Sequence, residues 1–397
     1  MRVTLSDSSV EHPIITTVNG SGQLRVHSVQ NGVWSHQTLG ASNPLMGTST
    51  MDASAKVSTF FYGADLRDTI PTSGGMKLME GTGGAWGGEL PVGPSFVYGV
   101  YTTLTPLLCN LGAGRLLAAT SFTTNDGSNH LGIWERVNGS WSTSQQIDSP
   151  NPLLYLRLGL TSGGYPITAT WQESTGAAPG GGYGYRLLFN RNSGSSWTQP
   201  AEGFSAVLKY GEYGGGIYPP VVFASANLGY AVHKVDHQLY ARGFDGTSWG
   251  SPELIGGLIN PAGTGGDMSA HLALAADGAR LVAWQDNDYL GFQTRLYLNG
   301  QWQAAQLFNE PGSAVFGVKI LSRDKAFLLY TKTSGNQKQV LIQEYQSGTW
   351  LSPKVLMADS MITGGLVGQT ASGKVFLCVR SLTAGSSTTT LNAFVTP

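Results

Sequence analysis

The segment AHLALAADGARLVAW (residues 270–284) carries alternating apolar residues on both sides of an Asp277–Gly278 turn. Alternation with a period of two is typical of a strand with one buried face, and an Asp-Gly pair favours a tight hairpin turn. The segment therefore predicts a β-hairpin. Comparable hairpins are predicted at seven other places along the chain: 3–18, 49–62, 103–121, 156–171, 219–234, 315–330 and 363–379.

A third strand follows these hairpins and leads into a turn in which a glycine precedes a tryptophan by two or three residues. LYARGFDGTSW before the next strand WGSPELI is one example, and TRLYLNGQW before WQAAQLF is another. Such turns recur about every 50 residues, which is typical of an array whose single units cannot bury their own apolar faces. The turn tryptophans are Trp34, Trp86, Trp141, Trp197, Trp249, Trp302 and Trp350.

Four antiparallel strands per unit, repeated at a fixed period, are typical of a β-propeller. We expect an all-β fold in which residues 1–397 form a single β-propeller domain almost without helices. The last unit supplies three strands and no tryptophan strand, so eight hairpins accompany seven turns. Eight blades are expected, and a seven-bladed ring with an extra terminal hairpin is the alternative. The expected blades are 1–44, 45–98, 99–150, 151–204, 205–260, 261–312, 313–360 and 361–397.

The pattern resembles the Asp-box repeats of sialidase-type β-propellers, in which a D-x-G-x-x-W turn joins the third and fourth strands. FDGTSWGSPELI (244–255) is the closest match, although its aspartate directly precedes the glycine. The shortened glycine–tryptophan turn is similar to that of propeller lectins, including fucose-binding ones. The resemblance covers nearly the whole chain as architecture. The turn tryptophans themselves are expected to be structural, with rings that cover the edge between neighbouring blades.

The composition excludes several kinds of partner. The 397 residues are 41% apolar and only 12% charged, and the net charge is −1. Without basic clusters, neither a nucleic acid nor an anionic membrane surface is an expected partner. No stretch is apolar for long enough to insert into a membrane. The segment MRVTLSDSSVEHP lacks the apolar region of a secretory signal, so a cytosolic protein or one exported by a non-classical route is expected.

Candidate ligand-binding residues lie at the ends of the second strands. Two blades apart, a tryptophan is followed by a glutamine and an acid, which offers an apolar platform for a sugar together with polar groups for its hydroxyls. Strand periodicity leaves open the alternative that these tryptophans pack in the core between blades. Tyrosines in similar places and on a glycine-rich loop complete the set. The candidate residues are Trp171, Gln172, Glu173, Trp284, Gln285, Asp286, Tyr62, Tyr330 and Tyr213.

The sequence does not show an equally clear pattern of catalytic residues, metal ligands or cofactor-binding motifs. Sialidases, by resemblance, need an arginine triad, a tyrosine–glutamate pair and an aspartate, whereas several arginines here recur in equivalent third strands. Only His233 and His237 among the histidines are close together, without a third ligand, so no metal is expected. Phosphate-binding and dinucleotide-binding loops are absent from the sequence, so no cofactor is expected.

These observations predict a non-catalytic, multivalent, lectin-like propeller that binds glycans or glycoconjugates at several shallow sites on blade edges. One alternative is a structural propeller that recognises a protein partner within a larger assembly. A second alternative is a glycoside hydrolase or sialidase-like enzyme built around the central channel.

Overall fold

The structure is a computed structural model that describes most of the chain. The described residues are 2–6, 14–19, 21–30, 33–41, 44–52, 54–65, 73–96, 106–123, 127–149, 153–160, 167–178, 182–192, 196–198, 201–208, 221–225, 227–235, 238–257, 268–286, 291–309, 312–359, 362–369, 374–382 and 389–396.

The chain divides into two compact units. The first comprises Met1–Ser174, Leu188–Ala201 and Gly368–Lys374, and it contains three complete antiparallel sheets. In the first sheet the strands are β1 (Arg2–Ser6), β2 (Ile14–Val18), β3 (Leu24–Gln30) and β4 (Val33–Leu39). The second has β5 (Pro44–Met51), β6 (Val57–Asp65), β7 (Ser73–Thr82), β8 (Ala85–Trp86) and β9 (Leu90–Phe96). The third has β10 (Leu107–Gly112), β11 (Arg115–Thr123), β12 (Asn129–Val137) and β13 (Ser140–Ser149).

The fourth sheet follows in sequence and has four strands in chain order. They are β14 (Leu153–Leu160), β15 (Ile167–Ala178), β16 (Gly182–Asn192) and β17 (Ala201–Leu208).

The second unit comprises Thr175–Leu187, Glu202–Val367 and Val375–Pro397. The fifth sheet has β18 (Val221–Ser225), β19 (Leu228–Val235), β20 (Gln238–Phe244) and β21 (Glu253–Gly257). The sixth has β22 (Met268–Leu274), β23 (Arg280–Asp286), β24 (Phe292–Leu298), β25 (Gln301–Trp302) and β26 (Gln306–Phe308). The seventh has β27 (Ala314–Ser322), β28 (Lys325–Ser334), β29 (Gln337–Gln346), β30 (Thr349–Trp350) and β31 (Lys354–Asp359). The eighth has β32 (Ile362–Gln369), β33 (Val375–Leu382) and β34 (Thr389–Val395).

The all-β prediction is confirmed. No described residue lies in a helix, and accordingly none of the described segments is a helix that could cross a membrane. Each predicted hairpin coincides with the first two strands of one sheet; in the hairpin of residues 270–284, for example, Leu274 pairs with Arg280 around the turn. The number of blades, their boundaries and the single-domain organisation stay predictions.

The fourth strand differs from the prediction in five sheets, where the turn tryptophan and the strand that follows it are separate; in the fourth and fifth sheets the tryptophan makes an isolated bridge to the third strand. In the second, sixth and seventh sheets, the turn tryptophan forms a two-residue strand, and a separate strand then returns to the same third strand. In the second sheet Gly87 and Gly88 fall in the interruption, and in the seventh sheet Pro353 does. Glycine weakens a ladder and proline lacks the N–H that a ladder requires, so both favour such a break.

The core lies between consecutive sheets. Six clusters of buried apolar side chains among the described residues each combine two sheets that are adjacent in sequence. In these six pairs each sheet covers the apolar face of its neighbour, as the repeat predicts. Representative pairs within the six clusters are Leu24 with Phe61, Tyr62 with Trp134, Ile133 with Trp171, Tyr230 with Trp284, Phe292 with Tyr330, and Leu329 with Leu377.

A glycine makes room for the largest of these side chains. Trp284 is fully buried, and its Nε1 donates a hydrogen bond to the carbonyl of Gly257 in the fifth sheet at 3.1 Å. A β-carbon added at the adjacent Gly256 would lie 2.3 Å from Cζ2 of Trp284, well inside van der Waals contact. The close approach of the fifth and sixth sheets therefore requires glycine at position 256.

We predict that Gly256→Ala lowers the free energy of unfolding by about 1–3 kcal/mol, the usual cost of overpacking a core. Gly250→Ala in the same sheet is the matched control, because its added β-carbon would lie 3.5 Å from the carbonyl oxygen of Gly243, an ordinary contact. Thermal and urea unfolding of the two variants measure the difference. Equal stability of the two variants would contradict this account of the packing.

Candidate functional site

The turn tryptophans bind back onto the preceding sheet. Three of them donate the indole N–H to a side chain on the fourth strand of that sheet, about one repeat earlier in the sequence. The predicted structural role of these rings is therefore what the structure shows. The bonds join Trp86 Nε1 to Gln37 Oε1 (2.9 Å), Trp197 Nε1 to Ser144 Oγ (2.7 Å) and Trp302 Nε1 to Glu253 Oε2 (3.0 Å).

Strand register explains why the acceptors face the next sheet. Glu253 is paired directly opposite Ala241, and Gln37 directly opposite Val26. Residues opposite each other in an antiparallel ladder share one face. Ala241 and Val26 both belong to the cores shared with the following sheet, so the acceptors lie on that same face.

The richest of these junctions lies between the fifth and sixth sheets, within the second unit. We call it the Trp302 cluster. Glu253 is exposed, Tyr230 is buried, and the other members are half-buried, so the cluster has both a floor and an open side. Its members are Tyr230, Glu253, Arg280, Arg295, Tyr297 and Trp302.

Two arginines organise the aromatic rings of the Trp302 cluster. The guanidinium of Arg280 lies between two tyrosines, 3.9 Å from the ring centre of Tyr230 and 4.1 Å from that of Tyr297. Arg295 donates from Nη1 to the carbonyl of Ile255 at 2.9 Å, and its guanidinium carbon lies 5.7 Å from the ring centre of Trp302. Guanidinium groups stacked on aromatic faces are favourable cation–π contacts that hold the rings in place.

The electrostatics of the cluster keep its buried phenol neutral. Burial raises the pKa of Tyr230 above its usual range, and the Glu253 carboxylate adds to the rise while Arg280 opposes it. At neutral pH the cluster therefore presents one carboxylate, two guanidinium groups, the Tyr297 hydroxyl and a partly open indole. These groups can bind and orient a polyhydroxylated ligand. Two juxtaposed carboxylates, which most glycosidases require, do not occur among these six residues.

The aromatic residues predicted from the sequence lie in the core. Trp171 and Trp284 are 1% and 0% exposed, and Tyr62 and Tyr330 are fully buried as well. Each belongs to a cluster shared by two consecutive sheets, as in the alternative that strand periodicity left open. Ligand binding by this set stays a prediction, and the packing gives these rings a structural role.

The polar residues predicted to bind a ligand lie in different environments. Glu173 is buried and accepts a hydrogen bond from the Ser149 hydroxyl. Gln285 accepts through Oε1 from the backbone N–H of Val315 at 2.7 Å, which ties the sixth sheet to the seventh. The side chains of Gln172 and Asp286 and the whole of Tyr213 lie outside the described residues.

Sequence reasoning missed the acceptors of the fourth strand. Gln37 and Ser144 stand three residues after a turn tryptophan, and Glu253 stands four residues after one. A polar residue at this repeated position is a sequence signal for the acceptor. Its partner, however, is the tryptophan of the next repeat, and strand periodicity does not reveal a contact at that separation.

The Asp245 carboxylate is hydrogen-bonded within its own turn. The Asp245 carboxylate accepts from the backbone N–H groups of Ser248 and Thr247, each at 2.8 Å, and from the Thr247 hydroxyl at 2.8 Å. These bonds, with that from Ser248 the strongest, lower the pKa of Asp245 from 3.8 to about 2. These bonds through Oδ1 therefore stabilise the turn that leads to Trp249.

Metal ligation has no candidate in the described part of the chain, where no three His, Cys, Asp or Glu side chains are grouped as ligands.

Comparisons with known proteins define the fold. No protein-family model matches the chain, and no curated protein matches its sequence. Among solved structures, the WD40 domain of SCAP from fission yeast is similar with a TM-score of 0.53 at 9% identity, covering 100% of this chain and 94% of that one. The fold is that of a β-propeller. At such identity the likeness concerns the fold alone.

Two carbohydrate-active structures are also similar in architecture. The polysaccharide lyase Uly1 gives a TM-score of 0.50 at 9% identity, covering 98% of this chain and 89% of that one. The fucose-specific lectin from Aleuria aurantia gives a TM-score of 0.39 at 15% identity, covering 79% of this chain and 95% of that one. The predicted resemblance to β-propellers is confirmed as a resemblance of architecture.

We predict that the Asp245 carboxyl titrates with a midpoint near pH 2 in the folded protein, as followed by the NMR shift of its carboxyl carbon. Because the folded pKa lies below the unfolded value, the turn is stabilised above about pH 4, and this contribution is lost as the pH falls towards 2. Thr247→Val removes one donor and should raise the midpoint, whereas Thr247→Ser retains the hydroxyl and should not. A midpoint near 4 in the unaltered protein would contradict the role of these bonds.

We predict that Trp284→Ala lowers the free energy of unfolding by about 3–5 kcal/mol, the usual cost of removing a buried tryptophan. Trp302→Ala, at a half-buried ring, should cost clearly less. Urea unfolding of both variants provides the comparison. A Trp284→Ala variant as stable as the unaltered protein would mean that this ring is not a core side chain.

Proposed function

We propose that this protein is a non-catalytic, multivalent carbohydrate-binding propeller. Its sites lie where the turn tryptophan of one sheet meets the fourth strand of the preceding sheet. The observation that carries the proposal is the Trp302 cluster, in which a half-buried indole is held by an exposed carboxylate and flanked by Arg295.

The chemistry of the cluster suits a sugar. A pyranose presents an apolar C–H face, which packs on an aromatic ring, and pairs of hydroxyls, which a carboxylate and planar guanidinium groups can bind from two sides. Glu253 remains exposed while it accepts from Trp302, so its remaining lone pairs are available to a ligand. The rings and arginines hold one another in place, which lowers the entropy cost of binding.

The same hydrogen bond from a turn tryptophan recurs in other sheets, which supports more than one carbohydrate-binding site. The pairs Trp86–Gln37 and Trp197–Ser144 have the same arrangement of indole N–H and fourth-strand acceptor as Trp302–Glu253. A single shallow site of this kind is expected to bind with a Kd of about 1 mM, or roughly −4 kcal/mol. Several sites on one chain would raise avidity by about 10²–10⁴ on a surface that presents many glycans.

The residues of the Trp302 cluster favour binding of a carbohydrate without catalysis. Its six residues include one carboxylate, whereas retaining and inverting glycosidases use two. The likeness to a polysaccharide lyase is one of fold and does not bring that enzyme's chemistry to this chain. Of the residues predicted from the sequence, Gln172, Asp286 and Tyr213 are retained as predicted contacts for a larger glycan, whereas the rings of Trp171, Trp284, Tyr62 and Tyr330 are buried in the core.

We predict that a glycan array identifies a ligand and that isothermal titration with it gives more than one site per chain. Trp302→Ala should reduce the number of sites by one, and Trp86→Ala should do the same independently. Glu253→Gln should weaken one site without removing the others. Leu254→Ala is the matched control, because Leu254 is an exposed neighbour of Glu253 on the same strand.

Other outcomes would decide against the proposal. Absence of binding across a broad array, together with persistent co-purification of a protein partner, would favour a structural propeller. Cleavage of a chromogenic sialoside or a polysaccharide, abolished by a single carboxylate substitution, would favour an enzyme.

A further inference from the structure

Three residues of the Trp302 cluster form one row across the sixth sheet. Arg280 is paired opposite Tyr297, and Tyr297 opposite Trp302, so the row crosses β23, β24 and β25. Residues opposite each other in an antiparallel ladder share one face. Trp284, four residues after Arg280 on the same strand, lies on this face too, and it packs in the core shared with the fifth sheet. All three residues of the row are half-buried, so the row is accessible from solvent.

A charged residue in this row is peculiar to the sixth sheet among the sheets where the whole row is described. In four other sheets the residue in the place of Arg280 is apolar or glycine. A guanidinium at this position is therefore not a requirement of the fold. The equivalent residues are Val57 in the second sheet, Leu116 in the third, Gly229 in the fifth and Ala326 in the seventh.

The contacts of Arg280 hold its guanidinium without neutralising it. The ring centres of Tyr230 and Tyr297 lie 3.9 and 4.1 Å from its central carbon. Stacking uses the flat faces of a guanidinium, whereas its N–H donors lie in the plane of the group. Within the described part of the chain no carboxylate is ion-paired with Arg280, and its Nε has no hydrogen-bond partner. The group can therefore still donate to an anion.

The second arginine of the cluster is used by the protein itself. Arg295 donates from Nε to the carbonyl of Gln303 at 2.8 Å and from Nη1 to the carbonyl of Ile255 at 2.9 Å. Glu253 supplies the carboxylate of the cluster, so the two guanidinium groups leave an excess positive charge. Arg280 is the residue that carries this charge to a ligand.

We propose, on the basis of the carbohydrate-binding function proposed above, that the Trp302 cluster binds acidic glycans through a carboxylate or sulfate group at Arg280. One sugar ring packs on Trp302. An oxyanion on that sugar or on its neighbour accepts a pair of charge-assisted hydrogen bonds from Arg280. The two residues are two strands apart, about 10 Å, so a short oligosaccharide that lies across the row contacts both.

Other sites on the chain should not share this preference. At the Trp86 site the residue equivalent to Arg280 is Val57, which offers no donor and no charge to an anion. That site should bind acidic and neutral glycans equally. The preference for an acidic ligand is therefore expected at one site per chain.

A glycan array of matched pairs tests the ligand class. It carries uronate-containing oligosaccharides beside their methyl esters and sulfated oligosaccharides beside their desulfated forms. At one site per chain the acidic member of a pair should bind at least about tenfold more tightly than the neutral member, as measured by isothermal titration. Added salt should weaken the acidic ligand alone. The two kinds of pair show whether a carboxylate or a sulfate is recognised.

Three variants test the role of Arg280. Arg280→Leu gives the sixth sheet the residue that the third sheet has at this position, so the variant should fold, as urea unfolding verifies. It should remove the preference for the acidic ligand and retain binding of the neutral one. Arg280→Lys retains the charge without the planar fork and should keep part of the preference. Lys354→Leu is the matched control, because Lys354 is an exposed cation on β31 of the seventh sheet, and it should keep the whole preference.

Three results would overturn the assignment of an acidic ligand. They are equal binding of the two members of every pair, a preference that both Arg280 variants retain in full, or a preference that Lys354→Leu also removes. In each case the protein still binds glycans, and the proposed function stands. Absence of binding to every glycan on the array would overturn the proposed function and the acidic ligand together.

Discussion

The packing of each sheet against the next is the interaction on which the rest of the structure depends. A four-stranded sheet here has apolar faces that it cannot bury alone, and the shared clusters show each face covered by a neighbour. Large rings such as Trp284 fill the middle of these junctions, and a glycine such as Gly256 lets the facing strand approach. Burial of such rings stabilises the fold by several kcal/mol each, which makes these junctions the least tolerant of substitution.

The same packing places polar groups where a ligand can reach them. At five of the six described junctions a turn tryptophan lies where the core gives way to solvent, and its ring is only half-buried. Three of these indoles donate their N–H to the fourth strand of the preceding sheet, at Gln37, Ser144 and Glu253. An indole fixed by a polar side chain at a solvent-exposed edge is thus a by-product of how the sheets are joined. Around Trp302 additional arginines and tyrosines turn this edge into a candidate binding site.

The sequence allows the strands and turns to be predicted but not the candidate binding site, for a physical reason. Alternation of apolar residues and Asp-Gly or glycine–tryptophan turns are local signals, so the hairpin of residues 270–284 and the turn at Trp302 could be located directly. Alternation also shows that Trp171 and Glu173 share a face, but it does not show that this face packs on another sheet. The contact of Glu253 with Trp302 joins residues in different repeats, and only the three-dimensional arrangement brings them together.

A crystal structure with the bound glycan is the decisive measurement, because it shows the position and the number of the ligands together. We expect sugar rings at several junctions of consecutive sheets, with one against Trp302 and Glu253 and others against Trp86 and Trp197. A single sugar bound away from every turn tryptophan, or one held between two carboxylates, would contradict it.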